Sequence, residues 1–240
     1  MTEHAFSSLK LAKEVLENLE SLGYHSMTAI QASSLPAILD GKDVLAQGQT
    51  GSGKTAAFAL GLLSKLDTAL FRVQALVLCP TRELSEQVAD EIRRVARNTP
   101  NVKILSLCGG TSLRPQAASL EHGAHIVVGT PGRIEDHLTK QTLDLSQLNT
   151  LVLDEADRML DMGFQKTLDA IVDEIPGQRQ TLLFSATMPD SIKSIAKKIM
   201  RTPVVVEVAP TQDTVRVEQR FYLVENEQHR MDALKLVLLD

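Results

Sequence analysis

The stretch that most narrows the possible folds of this chain is Gly48-Gln49-Thr50-Gly51-Ser52-Gly53-Lys54-Thr55. It fits the pattern G-x-x-x-x-G-K-[ST] and falls between a β-type run, Val44 to Ala46, and a helical run, Ala56 to Leu66. Glycines let successive backbone N–H groups turn inward around phosphate oxygens, and the helix that follows points its positive end at the same anion. In this reading Gln49, Thr50, Gly51, Ser52 and Gly53 form the cradle. Lys54 is a mobile point charge for the β- and γ-phosphates, and the Thr55 hydroxyl is a ligand for Mg2+.

The rest of the chain repeats the same alternation. Short apolar runs at Ala75 to Cys79, Ile104 to Cys108, His125 to Val128, Leu151 to Leu153, Thr181 to Phe184 and Val204 to Val208 join Val44 to Ala46 to make about seven strands. Most are apolar on consecutive residues, as expected when helices cover both faces of a sheet. Between them Leu84, Val88, Ile92 and Val95, and again Leu168, Ile171 and Ile175, recur at helical spacing. An earlier stripe of Leu11, Val15, Leu16, Leu19 and Leu22 stops at Gly23, a helix C-cap. The pattern predicts an α/β domain with a mostly parallel central sheet and helices on both faces.

After Val208 the composition turns polar, and residues 209–217 read as a linker. Phe221 to Val224 is then expected to open a strand and Arg230 to Leu239 to form a helix. Too little follows to bury a core of its own. The expected layout is therefore a domain over 1–208, the linker, and an incomplete second domain over 218–240, in a chain that is a fragment of something longer.

Composition removes several function classes. With 43% hydrophobic and 23% charged residues a sizeable core can be buried. No apolar stretch is long enough for a membrane span, and Met1 to Lys10 lacks the features of a leader, so a cytoplasmic protein is expected. Cys79 and Cys108 sit in apolar runs without a CxxC pair, which suits reduced buried thiols. A net charge of -5 gives no broad attraction to nucleic acid, and two Tyr, six Phe and no Trp are too few for a base-stacking platform. His122 and His125 flank Gly123 and make a poor metal pair, while Asp136, Asp144, Asp169 and Asp173 read as exposed charges.

Phosphoryl transfer needs a second magnesium anchor and a group that orients the nucleophile, both at a buried strand end near the loop. Leu151-Val152-Leu153-Asp154-Glu155 supplies them. Asp154 would hold the hydrated Mg2+, and Glu155 would polarise an attacking water as general base. An attacking water means hydrolysis, and the absence of an Asn-Lys-x-Asp run favours ATP over a guanine nucleotide.

Asp154-Glu155-Ala156-Asp157 spells D-E-A-D, and here the chain resembles the DEAD-box family of ATP-dependent RNA helicases. The family's pattern continues through Arg158 to Phe164. It recurs in Ser185-Ala186-Thr187, in Pro80-Thr81-Arg82-Glu83-Leu84, in Gly109-Gly110 and in Thr130-Pro131-Gly132-Arg133, all in the family's order. The resemblance runs from Phe6 to about Val208 and implies the N-terminal one of the family's two RecA-like domains. The overall wording is most similar to the DbpA-type bacterial branch, which acts in ribosome assembly.

The resemblance also implies roles. Gly23 to Gln31 is similar to the family's adenine-sensing Q motif, with Phe6 as its upstream aromatic; the Gln31 amide would read an adenine edge and Tyr24 would lie against the base. Met27 stands where proline is usual. Pro80, Thr81, Arg82, Gly109, Gly110, Thr130, Gly132 and Arg133 would line one strand of RNA and touch sugar and phosphate, with little sequence preference and no inferred preference for DNA. Thr130 can also N-cap a helix with Pro131 in its first turn, leaving N–H groups free for an RNA phosphate. Asp157, Ser185 and Thr187 would couple the nucleotide side to the RNA side. The second domain would bring the arginine fingers, so the fragment alone is expected to bind ATP but to hydrolyse it weakly and unwind nothing. An alternative is a nucleotide-dependent RNA or protein binding scaffold without turnover.

Overall fold

The computed structural model describes residues 5–208, 221–224 and 226–239. The chain divides into two units, Met1–Pro210 and Thr211–Asp240. In the first, strands β1 (Val44–Gln47), β2 (Ala75–Leu78), β3 (Ile104–Leu107), β4 (Ile126–Gly129), β5 (Thr150–Leu153), β6 (Gln180–Ser185) and β7 (Val204–Glu207) form one sheet in the order β3-β4-β2-β5-β6-β1-β7. Every neighbouring pair is parallel. The seven runs read from the sequence are these seven strands, to within a residue or two at each end.

Parallel strands need crossovers, and helices fill them. Helices α1 (Lys13–Ser21) and α2 (Ala29–Leu39) precede β1. They are followed by α3 (Lys54–Lys65), α4 (Arg82–Val95), α5 (Leu113–Glu121), α6 (Pro131–Thr139), α7 (Ala156–Asp161), α8 (Gln165–Asp173) and α9 (Asp190–Ile199). Alternate strand residues feed two cores. Val77, Val152, Leu182 and Phe184 pack on one face with Phe58, while Leu76, Leu78, Leu151, Leu153 and Leu183 pack on the other with Ile134 and Ile171. The central strands β2, β4, β5 and β6 are buried along their whole length, whereas the edge strands β3 and β7 are only partly buried.

Both cysteines are buried free thiols. His122 is exposed and His125 buried, and the described residues contain no group of side chains suited to a metal cluster. No helix among the described residues is long and apolar enough to cross a membrane. Two expectations for the end of the chain meet different outcomes, and a third, the linker at 209–217, lies outside the described residues. Helix α10 (Glu227–Leu239) includes the predicted helix. Residues 221–224 form no strand. Their β-branched and aromatic side chains favour an extended chain, but a strand exists only when a neighbour takes its N–H and C=O groups.

Candidate nucleotide site and the adjoining loops

In an all-parallel sheet every strand ends at the same rim, so the segments that follow the strands meet there. The sequence motifs are those segments. The glycine-rich loop follows β1, the acidic pair follows β5, and Ser185 to Thr187 follow β6. These three strands are adjacent in the order β5-β6-β1. Thr81, Gly109-Gly110 and Thr130 follow β2, β3 and β4, which occupy the other half of the rim in the order β3-β4-β2.

The glycine-rich loop turns tightly: Ser52 Oγ donates to the Gln49 carbonyl at 2.7 Å, and Gly53 enters α3 with φ 93°. A Cβ at Gly48 would lie 2.5 Å from Ile30 Cδ1, and one at Gly53 would lie 2.6 Å from Gln31 Nε2, so a side chain at either position would have to displace these side-chain ends, and at Gly53 the left-handed backbone adds strain. Gly53→Ala therefore adds left-handed backbone strain of about 1–2 kcal/mol to that collision. Its expected result is a loop displaced from the cradle and at least tenfold weaker nucleotide binding by calorimetry, roughly the loss of one good hydrogen bond. Lys54 is buried and donates from Nζ to the Gly48 carbonyl at 2.9 Å, arching back over the loop.

Across the cleft, Asp154 is buried, and its Oδ1 accepts from the Glu155 amide at 3.0 Å. Burial pushes its carboxyl up to about 6, with the positive charge of Lys54 opposing the rise and the negative charge of Glu155 adding to it. Glu155 adopts left-handed backbone, φ 51° and ψ 50°, at the N-terminus of α7. Non-glycine residues pay for that conformation, and it is concentrated at functional sites. The Glu155 carboxylate accepts from Thr50 Oγ1 at 3.2 Å and from Arg158 Nη1 at 3.2 Å. Together Tyr24, Thr50, Gly51, Gly53, Lys54, Thr55, Asp154 and Glu155 line a cleft of about 300 Å3.

The segment before α2 closes one end of this cleft. Thr28 and Gln31 form a reciprocal capping box at the start of α2, and Gln31 Nε2 also donates to the Gly53 carbonyl at 3.1 Å. Gln31, read from the sequence as an adenine contact, is thus fully buried with both ends of its amide engaged by protein. Met27, in place of proline, is buried in the core. Phe6 is buried and meets the Tyr24 ring edge-on at 6.3 Å. The Tyr24 hydroxyl donates to Glu91 Oε1 at 2.6 Å and accepts from Arg94 Nη2 at 2.7 Å, while the Arg94 guanidinium sits 5.5 Å from the ring centroid. Glu91 and Arg94 were not found from the sequence, although their spacing on the amphipathic helix α4 was available as a signal.

The remaining motif residues divide. Thr187 donates to Asp157 Oδ2 from both its amide, at 2.9 Å, and its hydroxyl, at 2.8 Å. Burial raises the Asp157 carboxyl, but the bonds from Thr187, with the neighbouring Ser185 hydroxyl and the Arg158 amide, together outweigh it and hold the group below the usual carboxylate range. Ser185 lies close enough to favour the same charged form, yet its buried Oγ has no hydrogen-bond partner among the described residues. On the other half-rim Thr81 caps α4 by accepting from the Leu84 amide at 3.3 Å. Thr130 stands at the N-terminus of α6 without a side-chain cap bond. Arg82, paired with Glu86 at 3.1 Å, and Gly110 are exposed, while Gly109 and Gly132 are half-buried. Two readings need correction here. Pro80 is buried. Arg133 does not face outward: its side chain is 9% exposed, and its guanidinium donates to Gln116 and to the Thr111 carbonyl.

Comparison with known proteins places this geometry. The DEAD/DEAH box helicase profile matches residues 28–195. The chain belongs to the DEAD/DEAH box helicase family. It is 57% identical over 219 residues to the ATP-dependent RNA helicase DbpA of Escherichia coli K12, covering 91% of this chain and 48% of that protein. It is 45% identical over 233 residues to the DEAD-box ATP-dependent RNA helicase CshA of Bacillus cereus, covering 97% of this chain and 44% of that protein. A crystal structure of a DEAD box protein from the hyperthermophile Methanococcus jannaschii superposes with a TM-score of 0.82 at 39% identity, covering 99% of this chain and 64% of that one. The fold is that of a RecA-like DEAD-box domain, and the chain spans about half the length of the curated relatives it matches.

Proposed function

We propose that this DEAD-box chain is the N-terminal, ATP-binding RecA-like domain of an RNA helicase that couples Mg-ATP hydrolysis to RNA binding and local duplex unwinding. The observation that carries the reading is the convergence of Lys54, Thr55, Asp154 and Glu155 on one cleft. The donor set suits magnesium. Thr55 and Asp154 offer hard oxygens, and a cation would relieve the cost of burying the Asp154 charge. When bound, the ion neutralises charge on the phosphate oxygens. Lys54 would bind the β- and γ-phosphates, Asp154 would hold the hydrated metal, and Glu155 would accept the proton of the attacking water.

RNA backbone would run over the other half-rim, against Thr81, Arg82, Gly109, Gly110, Thr130 and Gly132. Contacts of that kind carry little sequence information, and the net charge of -5 keeps the affinity of the isolated domain weak. The Asp157–Thr187 pair, standing at the ends of β5 and β6, supports the coupling role. In this proposal residues 1–208 are the domain, 209–217 the linker and 218–240 the start of a second RecA-like domain. A cytoplasmic location and work in ribosome assembly extend the same family resemblance.

The isolated chain is expected to bind ATP but hydrolyse it slowly, because both Glu155 oxygens are already engaged by Thr50 and Arg158 and no second-domain arginine completes the site. An arginine finger is worth about 10³–10⁵ in turnover. The test compares ATPase rates, with and without RNA, for this chain and for one extended through a complete second domain. Only the longer chain should respond to RNA. Equal rates would overturn the two-domain mechanism, and normal nucleotide binding without stimulation would favour a scaffold.

A further inference from the structure

One side chain ties together the loops that follow β3 and β4. Gln116, on α5, donates from Nε2 to the Cys108 carbonyl at 3.1 Å and to Thr111 Oγ1 at 3.4 Å, both in the segment that holds Gly109-Gly110. Its Oε1 accepts from Arg133 Nη1 at 3.0 Å and lies 3.1 Å from His137 Nε2, both on α6. Chemistry fixes which way the amide points, since a carbonyl can only accept and a guanidinium can only donate. His137 must then donate from Nε2, and its Nδ1 lies 2.8 Å from Thr142 Oγ1, whose hydroxyl also donates to the His137 carbonyl at 3.2 Å. Burial, then the charge of Arg133, push this imidazole below its usual range.

Packing secures this arrangement only in part, through Leu120 of α5, which is partly buried against the core. Helix α5 contains no buried residue, and Gly110, Thr111 and Ser112 ahead of it are exposed, with Gly110 at φ 82°. Arg133 reinforces the tie by donating from Nη2 to the Thr111 carbonyl at 2.8 Å. We propose that Gln116 is a positioning residue for the RNA strand, holding the Gly109–Thr111 loop against α6 so that the two loops present their backbone groups in one register. The proposal rests on the assignment of these loops to RNA made above.

Two variants separate the halves of the tie. Gln116→Glu can still accept from Arg133 but cannot donate to the Cys108 carbonyl, and Gln116→Met does neither. In the free chain, hydrogen–deuterium exchange over residues 109–112 should quicken in both variants. Affinity for a single-stranded RNA oligonucleotide, read by fluorescence anisotropy, should fall about tenfold, the loss expected for one good hydrogen bond in a network with a charged member. Mg-ATP affinity should stay within about twofold of the parent, which also certifies the fold, because Gln116 is remote in sequence and strand order from the nucleotide half of the rim. Unchanged exchange, or quickened exchange with unchanged RNA affinity, overturns the role of Gln116. Quickened exchange in the variants of a parent that binds no RNA overturns the RNA assignment itself, and the proposal with it.

Discussion

Glu155→Gln, in a chain extended through a complete second domain, is expected to bind ATP as the parent does while turnover falls by about 10²–10⁴, the usual contribution of a positioned general base. The substitution is nearly isosteric and keeps an oxygen to accept from Thr50 Oγ1, so the left-handed backbone at this position need not change. What is lost is the basic carboxylate and its ion pair with Arg158, whose side chain is 57% exposed. With its cation in solvent, such a pair is worth about 1 kcal/mol, so Tm should move by a few degrees at most. Calorimetry with Mg-ATP and a steady-state phosphate-release assay read the two arms. Unchanged turnover would remove Glu155 from its role, whereas lost binding would show that it supports the cradle instead.

Lys54→Ala should have the opposite profile, with binding itself lost. The ammonium is the only side-chain cation lining the cleft among the described residues. Hydrogen bonds to charged groups contribute about 1.5–3 kcal/mol each. Two such bonds to phosphate oxygens therefore correspond to about a hundredfold or more in affinity, at 1.4 kcal/mol per factor of ten. Folding should survive, because the variant leaves one loop carbonyl, that of Gly48, without its donor while also removing a buried charge. Asp154 would lose the positive charge that opposes its burial, so magnesium should bind less well at the same time. Mg-ATP titration of the variant checks the claim, and a loss under about tenfold would mean that the backbone amides alone hold the nucleotide.

The sheet was legible because burial on both faces writes itself as consecutive apolar residues, visible from Ala75 to Leu78 without any knowledge of neighbours. The nucleotide cleft was legible because its parts are local: glycines, Lys54 and Thr55 are contiguous, and Asp154-Glu155 ends a strand. Long-range side-chain bonding leaves no such trace. Nothing around Gln116 marks it as the partner of residues 8, 17 and 21 positions away, and Arg133 reads as a surface charge until the loop that covers it is known. The Tyr24, Glu91 and Arg94 cluster is hidden for the same reason, since it spans more than 60 positions. Residues 221–224 mark the opposite failure. There the local preference is clear, and no strand among the described residues pairs with it.

The strictly parallel sheet also divides the molecule's tolerance for change. Segments that enter the strands, such as 97–102 ahead of β3, lie on the rim away from the motifs. Insertions, fusion tags or fluorescent reporters grafted there would lengthen the polypeptide without disturbing either ligand, whereas one added residue just after β1 or β5 would move a catalytic group by more than a bond length.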